Sequence, residues 1–218
     1  MEDVPPIPQP PEGSKAKKPS ILPPGCWFVL WCCAGLAALG AFSLYQFSQI
    51  THRVRHKEAA IMALATANGL ELFREDNHTF PLPYSPSGSD TDTDTSSAHA
   101  LISILLGEEP ENDTRQNPRS VDYLEGIKNA KSNKIDEAPL LWKNGLFLDE
   151  ATSHYGIVDA WGTPYRIRLD TNNDKTLLNP NTDQAKEGRT TIPKYVIVWS
   201  AGKDRDWNTW DDNPMSWD

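Results

Sequence analysis

Four aspartates crowd into nine positions late in the chain: Asp204, Asp206, Asp211 and Asp212. Trp207 and Trp210 stand among them and Trp217 follows; Trp199 and Gly202 come just before. A disordered acidic tail has no use for three large rings. A buried core has no use for unpaired carboxylates, whose desolvation is costly. A bound cation reconciles the two, because it neutralises the carboxylates while the rings hold the loop down. The competing description is an exposed acidic turn.

Other constellations point less far. His52 and His56 have the i, i+4 spacing of a helical metal pair, but they stand among arginines beside a long apolar run, which suits interfacial anchoring. DTNNDK, residues 170–175, has the 1-3-5 spacing of an EF-hand loop. It lacks the glycine at position six and the glutamate at position twelve, where Asn181 stands, and reads as a hairpin turn. The Asp-Thr alternation within YSPSGSDTDTDTSS, residues 84–97, reads as a polar surface loop. There is no G-x-S-x-G, P-loop, G-x-G-x-x-G or H-E-x-x-H, so no enzyme and no small-molecule substrate is expected. A net charge of −9 argues against non-specific nucleic-acid binding.

The elements that must hold the acidic loop begin with CWFVLWCCAGLAALGAFSLYQF, residues 26–47, which carries no charge. As a helix it spans roughly 33 Å, enough to cross the hydrocarbon core. The expectation is a single uncleaved transmembrane helix over 25–48, preceded by a disordered proline-rich arm over 1–24 and followed by a soluble domain over 49–218. All three cysteines (Cys26, Cys32 and Cys33) lie in the apolar run, so the soluble part has neither disulfides nor thiolate metal sites. Basic residues on the two sides nearly balance, so charge alone does not orient the span.

The helix continues past the apolar run. Ala59, Met62, Ala63, Thr66, Ala67, Leu70 and Phe73 recur at three- and four-residue spacing and make one apolar stripe. Asn77, His78, Pro81 and Pro83 end it. A short second helix is expected in HALISILLGEE, 99–109, stopped by Gly107. Strands follow: LLWKNGLFLD, 140–149, with a turn at Asn144-Gly145; a strand with Tyr165, Ile167 and Leu169 on one face; and KYVIVWSAG, 194–202, with Val196 and Val198 on one face and Tyr195, Ile197 and Trp199 on the other. The predicted fold class is α+β, a long helix laid on a small antiparallel sheet.

Three blocks together carry a family likeness: LFREDNHTFPLP (72–83), DAWGTPYRIRLD (159–170) and VIVWSAGKDRDWNTWDD (196–212). In this order, after an apolar helix, they resemble type IV pilin-like proteins, specifically the major pseudopilin of type II secretion systems. The resemblance implies a pilin-like fold and a structural role among other pseudopilin or secretion-apparatus subunits. It further implies a single-pass protein of the bacterial inner membrane with a periplasmic C-terminal domain. It also implies a calcium ion in the late loop. Asp204 matches the acid after S-x-G-x, and Asp211 and Asp212 match the acidic pair further on. Carbonyls near Trp199 and Gly202 would complete the shell, and Asp206 is a weaker match.

Two departures stand out. Asn213-Pro214-Met215 replaces an Ile-containing link before Ser216 and Trp217. Gly25 follows a basic arm as a prepilin cleavage glycine would, but Leu30 occupies the fifth place after it, where the family has glutamate. An acid buried in the bilayer is tolerated when it pairs with a neighbouring subunit. Leu30 therefore keeps open a second reading: a permanently membrane-anchored, non-polymerising binding module that reuses the same fold.

Overall fold

The computed structural model describes residues 24–81, 90–109, 115–127 and 144–217; of residues 24–28 and 30 only the backbone is described. The proline-rich arm up to residue 23, and parts of the segments 84–97 and 110–144, lie outside the described residues. The chain divides into two compact units, Met1–Ser48 and Gln49–Asp218.

One helix, α1 (Pro24–Asn77), runs for 54 residues. Residues 31–50 are exposed throughout, among them Trp31, Leu36, Phe42 and Phe47. Among the described residues no helix is long and apolar enough to cross a membrane. Of the span expected over 25–48, the side chains of residues 25–28 and 30 lie outside the described residues. Further along, the helix changes character: Ala59, Ala63, Thr66, Ala67, Leu70 and Phe73 are buried, on the stripe read from their spacing. Small residues let neighbouring backbone come close. A Cβ at Gly69 would lie 2.6 Å from the Tyr123 carbonyl oxygen, so only glycine fits there. The helix ends as its sequence predicts. His78 takes φ +58° and returns its N–H to the Arg74 carbonyl at 2.8 Å, a left-handed cap.

The central sheet is antiparallel, in the order β1 (Thr91–Asp94), β4 (Arg166–Leu169), β7 (Val196–Trp199). A hairpin joins β2 (Gly145–Asp149) to β3 (His154–Val158), and β5 (Leu177–Leu178) pairs with β6 (Thr191–Ile192). Two short helices complete the domain: α2 (Leu101–Leu105), followed by Gly107 at φ +73°, and α3 (Thr182–Lys186), capped by the Asn181 side chain. Tyr165, Ile167 and Leu169 are all fully buried. Together with Val196 and Val198 they share one core with the buried face of α1, α2 and Ile157. Ile197 and Trp199 turn to a second cluster with Leu177, Ile192 and Trp217, so β7 is buried on both faces. Tyr195, just before the strand, packs with the first core instead.

Three local readings are corrected. The described part of the 84–97 segment is not all loop. Its Asp-Thr alternation forms the edge strand β1, with Thr95 buried behind it and Asp92 paired to Arg168. Asn144-Gly145 is not the hairpin turn. Gly145 begins β2, and the turn spans 150–153, where Ser153 donates to the Asp149 carbonyl. Residues 170–175 do not close a hairpin either, because β5 pairs with β6 rather than with β4. The Asp170 carboxylate curls that segment by accepting the N–H groups of Asn173, Asp174 and Lys175.

Candidate metal-binding loop

The acidic residues sit in the loop that leaves β7. Its base is closed by the residues that follow it. Ser200 N–H donates to the Pro214 carbonyl, Ser216 N–H to the Val198 carbonyl, and the Ser216 hydroxyl accepts from Val198 N–H, each at 2.9 Å. The Asn213-Pro214-Met215 link thus pairs with β7, and Met215 lies opposite Trp199. The loop is also pinned by its rings. Trp210 and Trp217 stand 6.4 and 6.1 Å from the Trp199 ring, and the Arg166 guanidinium lies 4.5 Å over Trp207. The tryptophans fix an otherwise polar segment on the second face of the sheet.

A buried hydrogen-bond chain positions the start of the loop. Asp159, fully buried, accepts from Trp161 and Thr163 N–H with one oxygen and from the Ser200 hydroxyl with the other. The Ser200 oxygen in turn accepts from Gly202 N–H at 2.9 Å. Burial holds the Asp159 carboxyl above the usual carboxylate range, against the pull of these donors. The D-A-W-G-T-P turn is therefore wired to the first turn of the acidic loop.

Within the loop the side chains divide. Asp204 is exposed. It accepts from the Thr209 hydroxyl at 2.5 Å and from Asp206 N–H at 2.9 Å, which holds its carboxyl below the usual range. Asp211 is exposed and Asp212 half-buried. Asp212 accepts from Lys203 N–H at 2.9 Å, so it faces the Gly202 turn. Gly202 has φ +65°, and a Cβ there would meet the Asp212 carbonyl oxygen at 2.6 Å and Asn213 Oδ1 at 2.7 Å. Trp199 contributes differently. The bonds flanking its pairing with Met215 turn its own N–H and carbonyl toward Arg166 in β4.

The structure therefore brings Gly202 and Asp212 together and leaves Asp204 and Asp211 on the rim. Among the described residues no three His, Cys, Asp or Glu side chains gather closely enough to hold a metal ion by themselves. Two residues that motif matching passed over belong to this loop. Ser200 anchors its start. Asn213 is only 2 % exposed, and its Oδ1 has no hydrogen-bond partner. The histidine pair lies within reach. The His52 ring stands 6.0 Å from that of Trp161, and burial lowers the His56 pKa, helped by His52 and opposed by Asp212.

Compared with known proteins, the chain matches no family model, no curated protein and no solved structure.

Proposed function

We propose that this chain is a pilin-like structural subunit, a pseudopilin of a type II secretion or pilus-like apparatus. It is held in the bacterial inner membrane by its N-terminal helix, with a periplasmic domain whose C-terminal loop is stabilised by calcium. One observation carries this reading. A single helix of 54 residues is exposed and rich in large apolar side chains over its first half, then buried against an antiparallel sheet over its second. A helix that served only the soluble domain would have no reason to extend those apolar residues into solvent. The partners implied are a lipid bilayer and other subunits of the apparatus.

The loop's donors suit calcium. They are all oxygens, carboxylate, carbonyl and amide, and one of them is buried without a partner. When bound, the ion would supply the positive charge that four nearby aspartates lack. Because it binds only the folded loop, free calcium at about 100 times its Kd adds roughly 2.7 kcal/mol, an expected rise in Tm of about 5–10 °C for a domain of this size. Magnesium, which demands tighter octahedral geometry, is expected to do much less. A melt indifferent to calcium would remove the ion from the proposal.

Leu30 supports the second reading, an anchored module that never polymerises. Sequencing the N-terminus of protein isolated from membranes separates the two. A mature chain starting at Cys26 favours the assembling subunit. Retention of the proline-rich arm favours the anchored module.

A further inference from the structure

The acidic loop reaches back to the start of the soluble domain. Arg205 donates to the Trp161 carbonyl at 2.9 Å, and the Trp161 ring stands 6.0 Å from that of His52. His52 is four residues beyond Ser48, where the expected span ends, which is about 6 Å of helix. The interfacial layer on each side of a bilayer is about 5–8 Å deep. With the helix anchored, Trp161 and the Arg205 end of the loop are therefore within reach of the lipid headgroups. The residues there suit that layer. Trp161 packs on the core and is half-buried; a ring with an apolar body and one N–H favours a bilayer surface. Arg205 is exposed and holds φ +62°, a left-handed conformation that favours glycine. Glycine would form this turn without strain, so the guanidinium has a use beyond the turn. Asp204 and Asp206, also exposed, flank it, and the loop presents both signs of charge side by side.

We infer that this rim of the domain, Trp161 with Arg205 and its flanking aspartates, docks on a zwitterionic phospholipid surface. The inference rests on the membrane anchor proposed above and adds a second contact with the same bilayer. A zwitterionic headgroup carries a phosphate and an ammonium close together. Arg205 offers planar N–H donors to the phosphate, and Asp204 and Asp206 offer acceptors to the ammonium. Arg53, exposed on the helix beside His52, adds a further cation to the rim. A purely anionic surface fits less well, because it is repelled by Asp204, Asp206, Asp211 and Asp212 and by a net charge of −9. The contacts need not be strong. A rim tethered beside its partner meets it at high effective concentration, so weak headgroup contacts suffice to dock it.

The test uses the full chain reconstituted into vesicles of phosphatidylethanolamine and phosphatidylcholine, in EDTA so that no metal contributes. Flotation shows whether the chain is anchored. Tryptophan emission is then read with a nitroxide on the lipid headgroup, and the share due to Trp161 is taken by difference from Trp161→Phe. That share is expected to fall about twofold or more, as for a ring at the interface. Arg205→Gly suits the φ of +62° and is expected to fold, yet to lose most of this quenching. Replacing part of the lipid with phosphatidylglycerol is expected to lessen it. An anchored chain whose Trp161 emission ignores the nitroxide would overturn the inference and leave the anchor standing. Quenching unchanged in Arg205→Gly would mean that the tether alone places Trp161 there, and would overturn recognition by the loop; so would stronger quenching with phosphatidylglycerol. Should Trp161→Phe fail to fold, the total emission of Arg205→Gly decides: reduced quenching supports the docked rim and unchanged quenching refutes it. If the parent chain does not float with the vesicles, the anchor reading itself has failed and this inference falls with it, which is a distinct result.

Discussion

Asp159 is the residue on which the acidic loop hangs. It spends both carboxylate oxygens on Trp161, Thr163 and Ser200, and through Ser200 it fixes Gly202. Replacing it with alanine leaves three donors buried without an acceptor, at an expected cost of about 2–4 kcal/mol in urea unfolding. Asp159→Asn keeps an acceptor for the two N–H groups and is expected to cost less. The pH dependence has a defined sign. Burial raises the folded pKa above the unfolded value, so the native state holds the proton longer. The contribution of this group therefore falls as pH rises from about 4 through its folded pKa. Urea midpoints across that range should decline less steeply in Asp159→Asn than in the parent chain; parallel profiles would mean that Asp159 does not titrate there. Of the residues read from the sequence, Gly202 and Asp212 meet in the structure, whereas Asp204 and Asp211 stay on the rim. Asn213 was not legible. An asparagine before a proline is ordinary turn chemistry, and only its burial and its unpaired oxygen distinguish it.

At the scale of elements, legibility followed periodicity. The buried stripe of α1 and the alternation of Tyr165, Ile167 and Leu169 follow from their periods of 3.6 and 2, because burial imposes those periods. β1 obeys the same period of two, but with threonines in place of aliphatics, so TDTD reads as polar loop. Its value emerges only in register. Thr95 exchanges backbone bonds with Tyr165 and Ile157, while its hydroxyl donates to the Ile157 carbonyl and accepts from Tyr165 N–H. One side chain thus joins the central sheet to the β2–β3 hairpin. Thr95→Val, nearly the same shape, is expected to cost about 1–3 kcal/mol by chemical denaturation, since it strips both hydroxyl bonds from a fully buried site. Gly69→Ala tests the opposite kind of fit. Its new methyl meets the Tyr123 carbonyl, and overpacking of this kind costs about 1–3 kcal/mol despite alanine's better helix propensity. A stabilised Gly69→Ala would show that the 123–124 segment yields freely.

For the whole molecule, the central sheet draws its strands from distant stretches of chain. Asp92 and Arg168, paired across β1 and β4, are 76 residues apart, and β7 needs residues 214–216 to complete its far edge. Few of these contacts are local, and loop closure must be met before any of them is rewarded. α1 can form early; the sheet cannot. Until Pro214, Met215 and Ser216 arrive, β7 offers an open edge flanked by two apolar faces, Val196 and Val198 on one, Ile197 and Trp199 on the other. Such a strand is a ready template for the wrong neighbour. The returning segment is thus a guard as well as a closure: lost to proteolysis or truncation, it would turn a folding problem into an aggregation problem.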